Sequence, residues 1–339
     1  MHPPRFPSFT DAYRAVLHRL HTGAEYTTAS RGNRSRECLN VAFTLADPRR
    51  RTPYLKARRP NIVFNYAEAL WYLSGRDDLA MIGYYAPRLR SLSRDGLHLT
   101  GTAYGPRLFR SPGADRPSQW EQVVDLLRHD PDSKRAVMTV MRPDELTDPA
   151  NPDVACTLSL QFLLRGGRLH LVVGMRGNDA MIGLVCDVFS FTLIQEFTAV
   201  QLGAQLGTYT HQVASMHVNE PDLARMDVIL AEPELGDPFP GFSLPADTSW
   251  DTIRHVLRWE SELRTNRRRF DPEARPPAPA SLYWRQVLLL FEVYRQIIHQ
   301  PGEPIEAATL DALTPAHRWL VTQRWPTRAG AEPAESTIR

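Results

Sequence analysis

Lysine is almost missing from this 339-residue chain, because Lys56 and Lys134 are the only two and arginine carries nearly all of the positive charge. The formal net charge is only +2, since acidic side chains balance the basic ones. Proteins that bind nucleic acid through its phosphates usually carry a strongly basic surface. We therefore expect no nucleic-acid partner, and we interpret the arginine clusters at 49–51 and 267–269 as solvated surface.

Cysteine is also scarce, and Cys38, Cys156 and Cys186 are odd in number and lack metal-type spacing. This pattern argues against structural disulfides and against a metal site, and it favours the cytoplasm. No apolar run reaches the roughly 18 residues of a membrane span, and no apolar core follows the first four residues, so we predict neither insertion nor export. No G-x-G-x-x-G motif follows a predicted strand, which argues against a Rossmann cofactor site.

Helical and strand patterns do occur, but they do not alternate regularly along the chain. Amphipathic spacing predicts helices at 8–20, 61–75, 77–88, 120–128, 250–263 and 282–298. The segment 186–202 is apolar on nearly all sides, which predicts a helix inside the domain. Alternating apolar residues predict strands at 136–140, 158–164, 169–174 and 208–218. This mixture indicates an α+β fold with helices packed against a sheet.

The most informative segment lies between Val154 and Asn219. Cys156 stands at the head of the strand at 158–164, and the next strand leads to Arg176, so a thiol and a guanidinium are expected side by side. A neighbouring cation lowers the pKa of a thiol from about 8.5 and so favours the nucleophilic thiolate. The alternative is that Cys156 is a small buried hydrophobe, as most lone cysteines are.

Glu68 interrupts the largely apolar helix predicted at 61–75. A buried carboxylate is costly unless it is paired or functional, and burial raises its pKa into a range useful for proton transfer. Glu68 is therefore a candidate catalytic residue. The alternative is that it lies on the wet edge of an amphipathic helix.

These segments together resemble the thymidylate synthases and their relatives, which methylate or hydroxymethylate carbon 5 of a pyrimidine nucleotide. The likeness covers roughly residues 10 to 230 and implies a thymidylate synthase-like catalytic core at 1–230. It leaves a mostly helical region at 231–325, packed on that core, and a tail at 326–339 that we expect to be disordered. The segments that carry it are Ser30-Arg31-Gly32, Glu68-Ala69-Leu70-Trp71, Tyr104-Gly105, Asp132-Ser133-Lys134-Arg135, Val154-Ala155-Cys156-Thr157, Arg176-Gly177-Asn178-Asp179, Cys186-Asp187 and His217-Val218-Asn219.

The resemblance assigns roles to the reacting groups and to the phosphate site. It implies that Cys156 attacks carbon 6 of the pyrimidine and that Glu68 orders water and shuttles protons to the base. His217 resembles the histidine that contacts the sugar. Four cations resemble the family's phosphate clamp, and the last two are expected to come across a homodimer interface: Arg176, Arg31, Lys134 and Arg135. Taken singly, each of these cations is more often a surface residue.

Asp187 is expected to be a catalytic residue that also selects the base. The matching residue of thymidylate synthases is an asparagine, whose amide donates to O4 of uracil and accepts from N3–H. An ionised aspartate cannot donate, whereas cytosine presents an amino donor, so Asp187 favours cytosine as in the dCMP hydroxymethylase branch. Mispairing a buried polar group costs about 1–3 kcal/mol, which separates the bases by roughly one to two powers of ten. The alternative is a helix N-cap placed by chance.

Two further positions bear on the sugar. Gly177 stands where the family has a serine, and Asn219 stands where it has a tyrosine. Both replacements are smaller and open space for a 2′-hydroxyl, so we predict that CMP is favoured over dCMP.

The resemblance also implies a co-substrate, 5,10-methylenetetrahydrofolate. Asp179 resembles the residue that hydrogen-bonds the pterin, and Gly183 matches a glycine near the folate. Tyr84 or Tyr85 falls where the family places tryptophans beside the folate. An aromatic pair at this spacing is otherwise ordinary core packing.

Together these assignments predict a cytidylate 5-hydroxymethylase, similar to the branch that serves nucleoside-antibiotic (mildiomycin-type) biosynthesis. The closing tail that helps methylating synthases exclude water is not recognisable at 326–339, which favours hydration of the exocyclic methylene group. Two rival interpretations remain open at this point. One is a methylating synthase that acts on dUMP or UMP, and the other is a non-catalytic protein that binds nucleotide or RNA.

Overall fold

A computed structural model describes residues 2–30, 32–113, 116–234, 236–273 and 281–330. Its strands are β1 (Arg5–Phe6), β2 (Tyr26–Ser30), β3 (Asn33–Leu45), β4 (Val137–Thr139), β5 (Thr157–Arg165), β6 (Arg168–Met175), β7 (Asn178–Asp179) and β8 (Gln205–Asn219). Its α-helices are α1 (Phe9–Gly23), α2 (Ile62–Leu73), α3 (Leu79–Tyr85), α4 (Gly105–Phe109), α5 (Gln119–His129), α6 (Gly183–Leu202), α7 (Leu223–Leu230), α8 (Trp250–Arg264), α9 (Leu282–His299), α10 (Ala307–Asp311) and α11 (Pro315–Arg324). Turns of 3-10 helix lie at Pro87–Leu92, Pro143–Leu146, Glu220–Asp222 and Thr327–Ala329.

The strands form one mixed sheet in the order β1-β3-β8-β6-β5-β4, with β2 added to β3 and β7 added to β8. β5 and β6 are an antiparallel hairpin. Its turn is formed by Gly166 and Gly167, whose φ angles of 55° and 72° match the positive values that two-residue hairpin turns require. The hairpin sets Thr157 opposite Met175. The residues just before β5 and just after β6 therefore meet at one end of the sheet.

Helix α6 is the centre of the helical layer. It is buried along most of its length, including Phe189, Phe191 and Phe197, and it packs on α2, β6 and β8. Among the described residues it is the helix whose length and composition would allow it to cross a membrane, but most of its surface is buried inside the molecule. The prediction of an internal helix at 186–202 is confirmed.

Helix α2 is buried at every position and lies against α6 and α9. It starts after Asn61, whose side chain accepts a hydrogen bond from the Phe64 N–H at 3.1 Å. This contact satisfies one of the amide donors that a helix leaves unpaired at its first turn. Since every residue of α2 is buried, Glu68 does not lie on an exposed edge of the helix, and the amphipathic alternative is wrong.

The α+β class is confirmed, and most predicted elements occur within a few residues of their expected bounds. The helix expected at 77–88 instead divides into α3 and a 3-10 turn that begins at Pro87. Proline lacks the N–H that would continue the helix and restricts the residue before it. The β2–β3 hairpin was not predicted, because its residues are mostly polar and Asn40, at φ 52°, interrupts the alternation of β3.

The C-terminal region is mostly helical, and in the described residues it lies against the core through α9 and α11 on α2 and through α8 on α3. We expected disorder from residue 326, but residues 326–330 are ordered. The Arg328 guanidinium holds them, because it donates to the carbonyls of Ile297 at 3.2 Å and Gln300 at 2.8 Å. Residues 331–339 lie outside the described residues.

Candidate active site

Three predicted catalytic groups meet at one point although they come from different elements. Glu68 lies in the middle of α2, Asp187 lies in the first turns of α6, and Cys156 directly precedes β5. The buried Tyr104 side chain lies beside all three. Burial raises the pKa of its hydroxyl, and the nearby charges of Asp187, Cys156 and Glu68 raise that pKa further. Tyr104 thus marks the shared centre of the candidate site.

Glu68 is buried beside polar partners. The Ser190 hydroxyl donates to its Oε2 at 3.2 Å. Burial raises the pKa of Glu68 to about 7, although Ser190, Arg88 and Tyr72 act in the opposite direction. A carboxyl group with a pKa near neutral can both give and take a proton at physiological pH. Glu68 is therefore suited to proton transfer.

Asp187 is also buried, and its pKa lies well above the ordinary value of 3.8. Burial is the main cause, the neighbouring Glu68 adds to it, and a hydrogen bond from Asn178 opposes it. The prediction that Asp187 favours cytosine took this carboxyl group as ionised. A protonated carboxyl group instead offers one donor and one acceptor, so it can pair with N3 and the amino group of cytosine or with O4 and N3–H of uracil.

Because Gly183 has no side chain, the side chains of Asn178 and Asp187 can pack close to its backbone. A Cβ atom at position 183 would lie 2.7 Å from Asn178 Oδ1 and 3.4 Å from Asp187 Oδ2. The first distance is too short for any side chain. Gly183, which we expected near the folate, is thus also required for packing against the carboxyl pocket.

A series of hydrogen-bonded, buried polar side chains lies next to Asp187. It was not predicted from the sequence. The Asn178 amide nitrogen lies 3.0 Å from His211 Nε2, and His211 Nδ1 lies 2.7 Å from the Tyr209 hydroxyl. Burial lowers the pKa of His211 to about 3, so the imidazole is neutral. A neutral ring accepts from Asn178 on one nitrogen and donates to Tyr209 on the other, which fixes the amide next to Asp187.

Cys156 is half-buried, and its backbone lies next to Arg176. The Arg176 N–H donates to the Cys156 carbonyl at 2.9 Å. Its guanidinium donates to the carbonyls of Ala155 at 2.8 Å and Val154 at 3.1 Å. The cation therefore holds the backbone that carries the thiol. The next residue, Thr157, is buried, and its hydroxyl contacts Met175 Sδ at 3.1 Å.

Asp153 anchors the loop before the nucleophile, and sequence reasoning missed it too. Its carboxylate accepts the N–H groups of Thr100 and Thr102, each at 2.7 Å, and of Gly101 at 2.8 Å. A Cβ at position 101 would lie 2.1 Å from the Asp153 carbonyl oxygen, so only glycine fits there. The pattern Thr100-Gly101-Thr102 is a turn-like signal that could have drawn attention to this loop.

The predicted phosphate cations do not all meet within one chain. Arg31 lies outside the described residues. Lys134 and Arg135 are exposed and lie just before β4, where the Phe162 N–H bonds to the Ala136 carbonyl. Phe162 lies several residues along β5 from Cys156. At 3.3 Å per residue, this end of β5 and the neighbouring Lys134 and Arg135 lie roughly 20 Å from Cys156. Of the four cations, the structure brings Arg176 to the nucleophile.

The predicted sugar and pterin residues lie on β7 and β8. His217 is paired with Asp179 across these strands. The Asn219 amide nitrogen donates to Asp179 Oδ2 at 2.7 Å, while Asp179 Oδ1 accepts the N–H groups of Met181 and Ile182 at 2.7 and 3.0 Å. Asn219, expected at the sugar, is therefore tied to the residue expected at the pterin.

The two candidate tyrosines differ in direction because successive helical residues point about 100° apart. Tyr85 lines a cavity of about 310 Å³ together with Asn65, Ile182 and Cys186. Both rings pack against Tyr294, with ring centroids 5.2 Å apart for Tyr84 and 5.1 Å apart for Tyr85. Tyr85 is thus the one of the two that lines this cavity, and a folate contact by either tyrosine stays a prediction. No group of three or more metal-ligating side chains occurs in the described ranges.

Known proteins resemble this chain in sequence and in fold. The family model described as thymidylate synthase matches residues 9–258. Deoxyuridylate hydroxymethyltransferase of Bacillus phage SP01 is 34% identical over 201 residues, 56% of this chain and 52% of that protein. The enzyme of the same name from Delftia phage PhiW-14 is 30% identical over 218 residues, 61% of this chain and 59% of that protein. The chain therefore spans a little over half the length of these relatives.

A solved structure shows the same fold. Thermostable thymidylate synthase A from Bacillus subtilis superposes with a TM-score of 0.57 at 20% identity, over 68% of this chain and 87% of that one. This likeness supports the fold alone. Because the family model covers well over half of the sequence, the chain belongs to the thymidylate synthase family.

Proposed function

We propose that this protein is a folate-dependent 5-hydroxymethyltransferase that acts on a cytidine monophosphate, with CMP favoured over dCMP. The family accounts for a one-carbon transferase that acts on a pyrimidine nucleotide. The observation that carries the finer proposal is the meeting of Cys156 with the buried pair Glu68 and Asp187. One group is a nucleophile, and the other two can hold protons at an aromatic base.

In the proposed reaction, the Cys156 thiolate adds to carbon 6 and the ring electrons make carbon 5 nucleophilic. 5,10-Methylenetetrahydrofolate supplies the one-carbon unit to carbon 5. Loss of the carbon 5 proton then breaks the bond between the methylene carbon and the folate nitrogen, so that tetrahydrofolate leaves. An exocyclic methylene group remains on carbon 5, and water adds to it. Departure of Cys156 from carbon 6 then restores the aromatic ring. Glu68, with its pKa of about 7, moves the protons and positions the water.

Side chains next to the carboxyl pair fit a bound folate. The cavity lined by Tyr85, Asn65 and Ile182 opens beside Cys186, the neighbour of Asp187. The Asn65 amide nitrogen is buried and has no hydrogen-bond partner in the described residues. An unpaired buried donor costs free energy, and a polar heterocycle would satisfy it. Asp179 on β7 and Gly183 at the start of α6 remain the proposed pterin contacts.

The choice of cytosine depends on Asp187. Cytosine N3 is a ring nitrogen and is more basic than the carbonyl O4 of uracil, so it accepts the Asp187 proton more strongly. The other carboxyl oxygen then accepts from the amino group. The choice of ribose depends on Gly177. A Cβ at that position would meet its nearest atom, the Ser215 carbonyl oxygen, at 3.7 Å, so packing does not require glycine there.

A homodimer would explain the position of Lys134 and Arg135. They lie too far from their own Cys156 to share a phosphate with Arg176, and a second copy could bring them to the site. The face of the sheet that carries Val172, Thr210 and Gln212 is half-buried or exposed, and it offers a surface for such pairing. We place this enzyme in the cytoplasm and in nucleoside-antibiotic biosynthesis as parts of the same proposal.

Uracil is the second candidate base. Two observations favour it: the relatives named for deoxyuridylate hydroxymethylation, and the raised pKa of Asp187, which supplies a donor for O4. In that case the reaction at carbon 5 is the same and only the base differs.

The test is a side-by-side rate measurement with CMP, dCMP, UMP and dUMP and the folate donor, followed by mass spectrometry of the product. Hydroxymethylation adds the elements CH2O, whereas methylation adds CH2. The proposal expects CMP to give the highest kcat/KM and a CH2O product. A preference for dUMP would overturn the cytosine assignment, and a CH2 product would make the protein a methylating synthase. Nucleotide binding without turnover would favour a non-catalytic role.

A further inference from the structure

Three buried polar side chains connect the core of the sheet to Asp187. They are Tyr209 and His211 on β8 and Asn178 on β7, and each is at most 2% exposed. His211 Nδ1 lies 2.7 Å from the Tyr209 hydroxyl, and His211 Nε2 lies 3.0 Å from the Asn178 amide nitrogen. Asn178 in turn hydrogen-bonds to the Asp187 carboxyl group. This polar series therefore ends on the group that is proposed to bind the base.

The polar series has one functional group within its reach. Burying polar side chains in a sheet costs free energy that apolar side chains would not cost. In the part of the chain that the structure describes, the side chains of Tyr209 and His211 hydrogen-bond only to each other and to Asn178. Asp187 is the one charged group there that raises the pKa of Tyr209, and burial alone lowers that of His211. The series can thus influence the reaction through Asp187.

The directions of these hydrogen bonds follow from the chemistry of the groups. An amide nitrogen can only donate, so His211 Nε2 is the acceptor, and the proton of the neutral ring is on Nδ1. The Asn178 amide oxygen lies against the backbone of Gly183, where an added Cβ would come within 2.7 Å. Half a turn of the amide would set its oxygen against the unprotonated Nε2. The ring therefore keeps the amide nitrogen of Asn178 directed at Asp187.

This orientation determines where the proton of Asp187 is held. A carboxyl oxygen that accepts from the Asn178 amide favours the unprotonated state, so the proton lies on the other oxygen. Cytosine requires the proton opposite N3 and the bare oxygen opposite its amino group. Uracil requires the reverse arrangement, with the bare oxygen opposite N3–H and the proton opposite O4. The oxygen that Asn178 contacts thus decides which base fits.

We propose that His211 is a positioning residue that acts through Asn178 to fix the proton on one oxygen of Asp187, and that it thereby sets the preference between cytosine and uracil. This inference rests on the proposed function for the substrate class, a pyrimidine nucleotide. Tyr209 supports His211 because its hydroxyl accepts the ring proton on Nδ1. When the ring is removed, the amide can adopt both orientations and the proton both positions, so the base preference is lost while the nucleotide still binds.

The experiment measures the affinities of CMP and UMP by calorimetry, without folate, in the parent protein and in variants. His211→Phe keeps a planar ring and removes both nitrogens. His317→Phe is the matched control, because His317 is also buried and has a pKa lowered to about 4, but it contacts Gln286 in the C-terminal region. One buried hydrogen bond is worth about tenfold in affinity. We expect His211→Phe to reduce the preference between the two bases by roughly tenfold and His317→Phe to retain it.

Two smaller changes separate positioning from folding. His211→Gln retains an acceptor for the Asn178 amide and should keep most of the base preference. Tyr209→Phe removes the group that holds the ring proton on Nδ1 and should reduce the preference severalfold. These two variants test the inference even if His211→Phe does not fold. Weaker binding of both nucleotides by the same factor in every variant would make the role of His211 purely structural and would overturn the inference.

The same measurements separate this inference from the proposed function. A parent protein that prefers UMP, together with loss of that preference in His211→Phe, would support the positioning role and refute the choice of cytosine. A parent protein that prefers CMP, together with an unchanged preference in His211→Phe, would support the choice of cytosine and refute the positioning role. Equal affinity of the parent protein for both nucleotides would also overturn the inference, because a fixed proton must favour one base.

Discussion

Arg107 and Glu145 form a buried, two-point ion pair beside the nucleophile. Arg107 Nη1 lies 2.9 Å from Glu145 Oε2, and Nη2 lies 2.8 Å from Oε1. The same Oε1 accepts the N–H of Ala155, the residue before Cys156, at 3.2 Å. Burial alone would raise the pKa of Glu145, but the hydrogen bonds from Arg107 and from backbone amides lower it to about 2. The pair therefore remains ionised and holds the backbone of the nucleophile.

Glu145→Gln is expected to disturb this positioning. The variant leaves Arg107 buried without a counter-charge, which costs about 3 kcal/mol of stability. A displacement of the nucleophile of about 1 Å lowers rate by on the order of a hundredfold, so kcat should fall by ten- to a hundredfold while the nucleotide KM changes less. Steady-state kinetics and urea unfolding measure the two effects. The control is Asp144→Asn, an exposed neighbour, and a fully active Glu145→Gln enzyme would contradict the role.

The candidate reacting residues could be predicted from the sequence more readily than the residues that hold them in place. Cys156, Glu68 and Asp187 stand in short motifs that resemble those of thymidylate synthases, and it is this resemblance that implied a shared site. The pair Arg107–Glu145 joins residues 38 positions apart, and such long-range contacts leave no periodic signal. The same holds for the chain Asn178–His211–Tyr209.

Two points could not be decided from the sequence, and each has a specific physical cause. Tyr84 and Tyr85 could not be distinguished by type, and the direction of each ring is set by α8 and α9 from the C-terminal region. The pKa of Asp187 could not be judged either, because it depends on burial against Glu68, a residue of another helix. The ordinary ionised form was therefore the wrong starting point for base selection.

Cys156→Ala is expected to abolish turnover and to spare nucleotide binding, because the thiol supplies the covalent bond while other side chains hold the substrate. Product formation measured by mass spectrometry and nucleotide binding measured by calorimetry give the two results. Cys38→Ala is the matched control, since Cys38 is buried against α1 with its thiol near the Gly23 carbonyl at 3.4 Å. Turnover that survives in Cys156→Ala would remove the nucleophile from the mechanism.

Glu68→Gln is expected to change how stability depends on pH. The pKa of Glu68 is raised from 4.5 to about 7, so between these values the folded protein holds a proton that the unfolded chain releases. This contribution is complete below pH 4.5 and is lost as pH rises through about 7. The loss amounts to roughly 3 kcal/mol, at 1.36 kcal/mol per pKa unit.

Urea unfolding at pH 5 and pH 8 checks this sign. The free energy of unfolding should fall less between these pH values in Glu68→Gln than in the parent protein, by roughly 3 kcal/mol. Glu303→Gln, which changes an exposed carboxylate, should behave like the parent. Equal pH dependence in parent and Glu68→Gln would show that Glu68 is not held protonated.

Asp187→Asn is expected to shift base preference towards uracil. The amide of an asparagine at this position donates to O4 and accepts from N3–H, provided that Asn178 holds its orientation. An amide donates to N3 of cytosine but cannot give up its proton to it, so the charge-assisted hydrogen bond is lost and the ratio of kcat/KM for CMP over UMP should fall by roughly tenfold. The four-nucleotide rate comparison measures it. An unchanged ratio would mean that other residues select the base.

Mixing two inactive variants is expected to restore activity if Lys134 and Arg135 serve the partner's site. Cys156→Ala and Arg135→Ala each disable every site in their own homodimers. In a heterodimer, one site combines an intact Cys156 with an intact Arg135 from the other copy. Refolding an equal mixture should therefore recover about a quarter of the parent activity, since half of the dimers are mixed and one of their two sites is complete.

Cys156→Ala mixed with Glu68→Gln is the control, because both residues belong to the same protomer's site and no complete site can form. Recovery in neither mixture would place the phosphate contact of Arg135 within its own chain or exclude it.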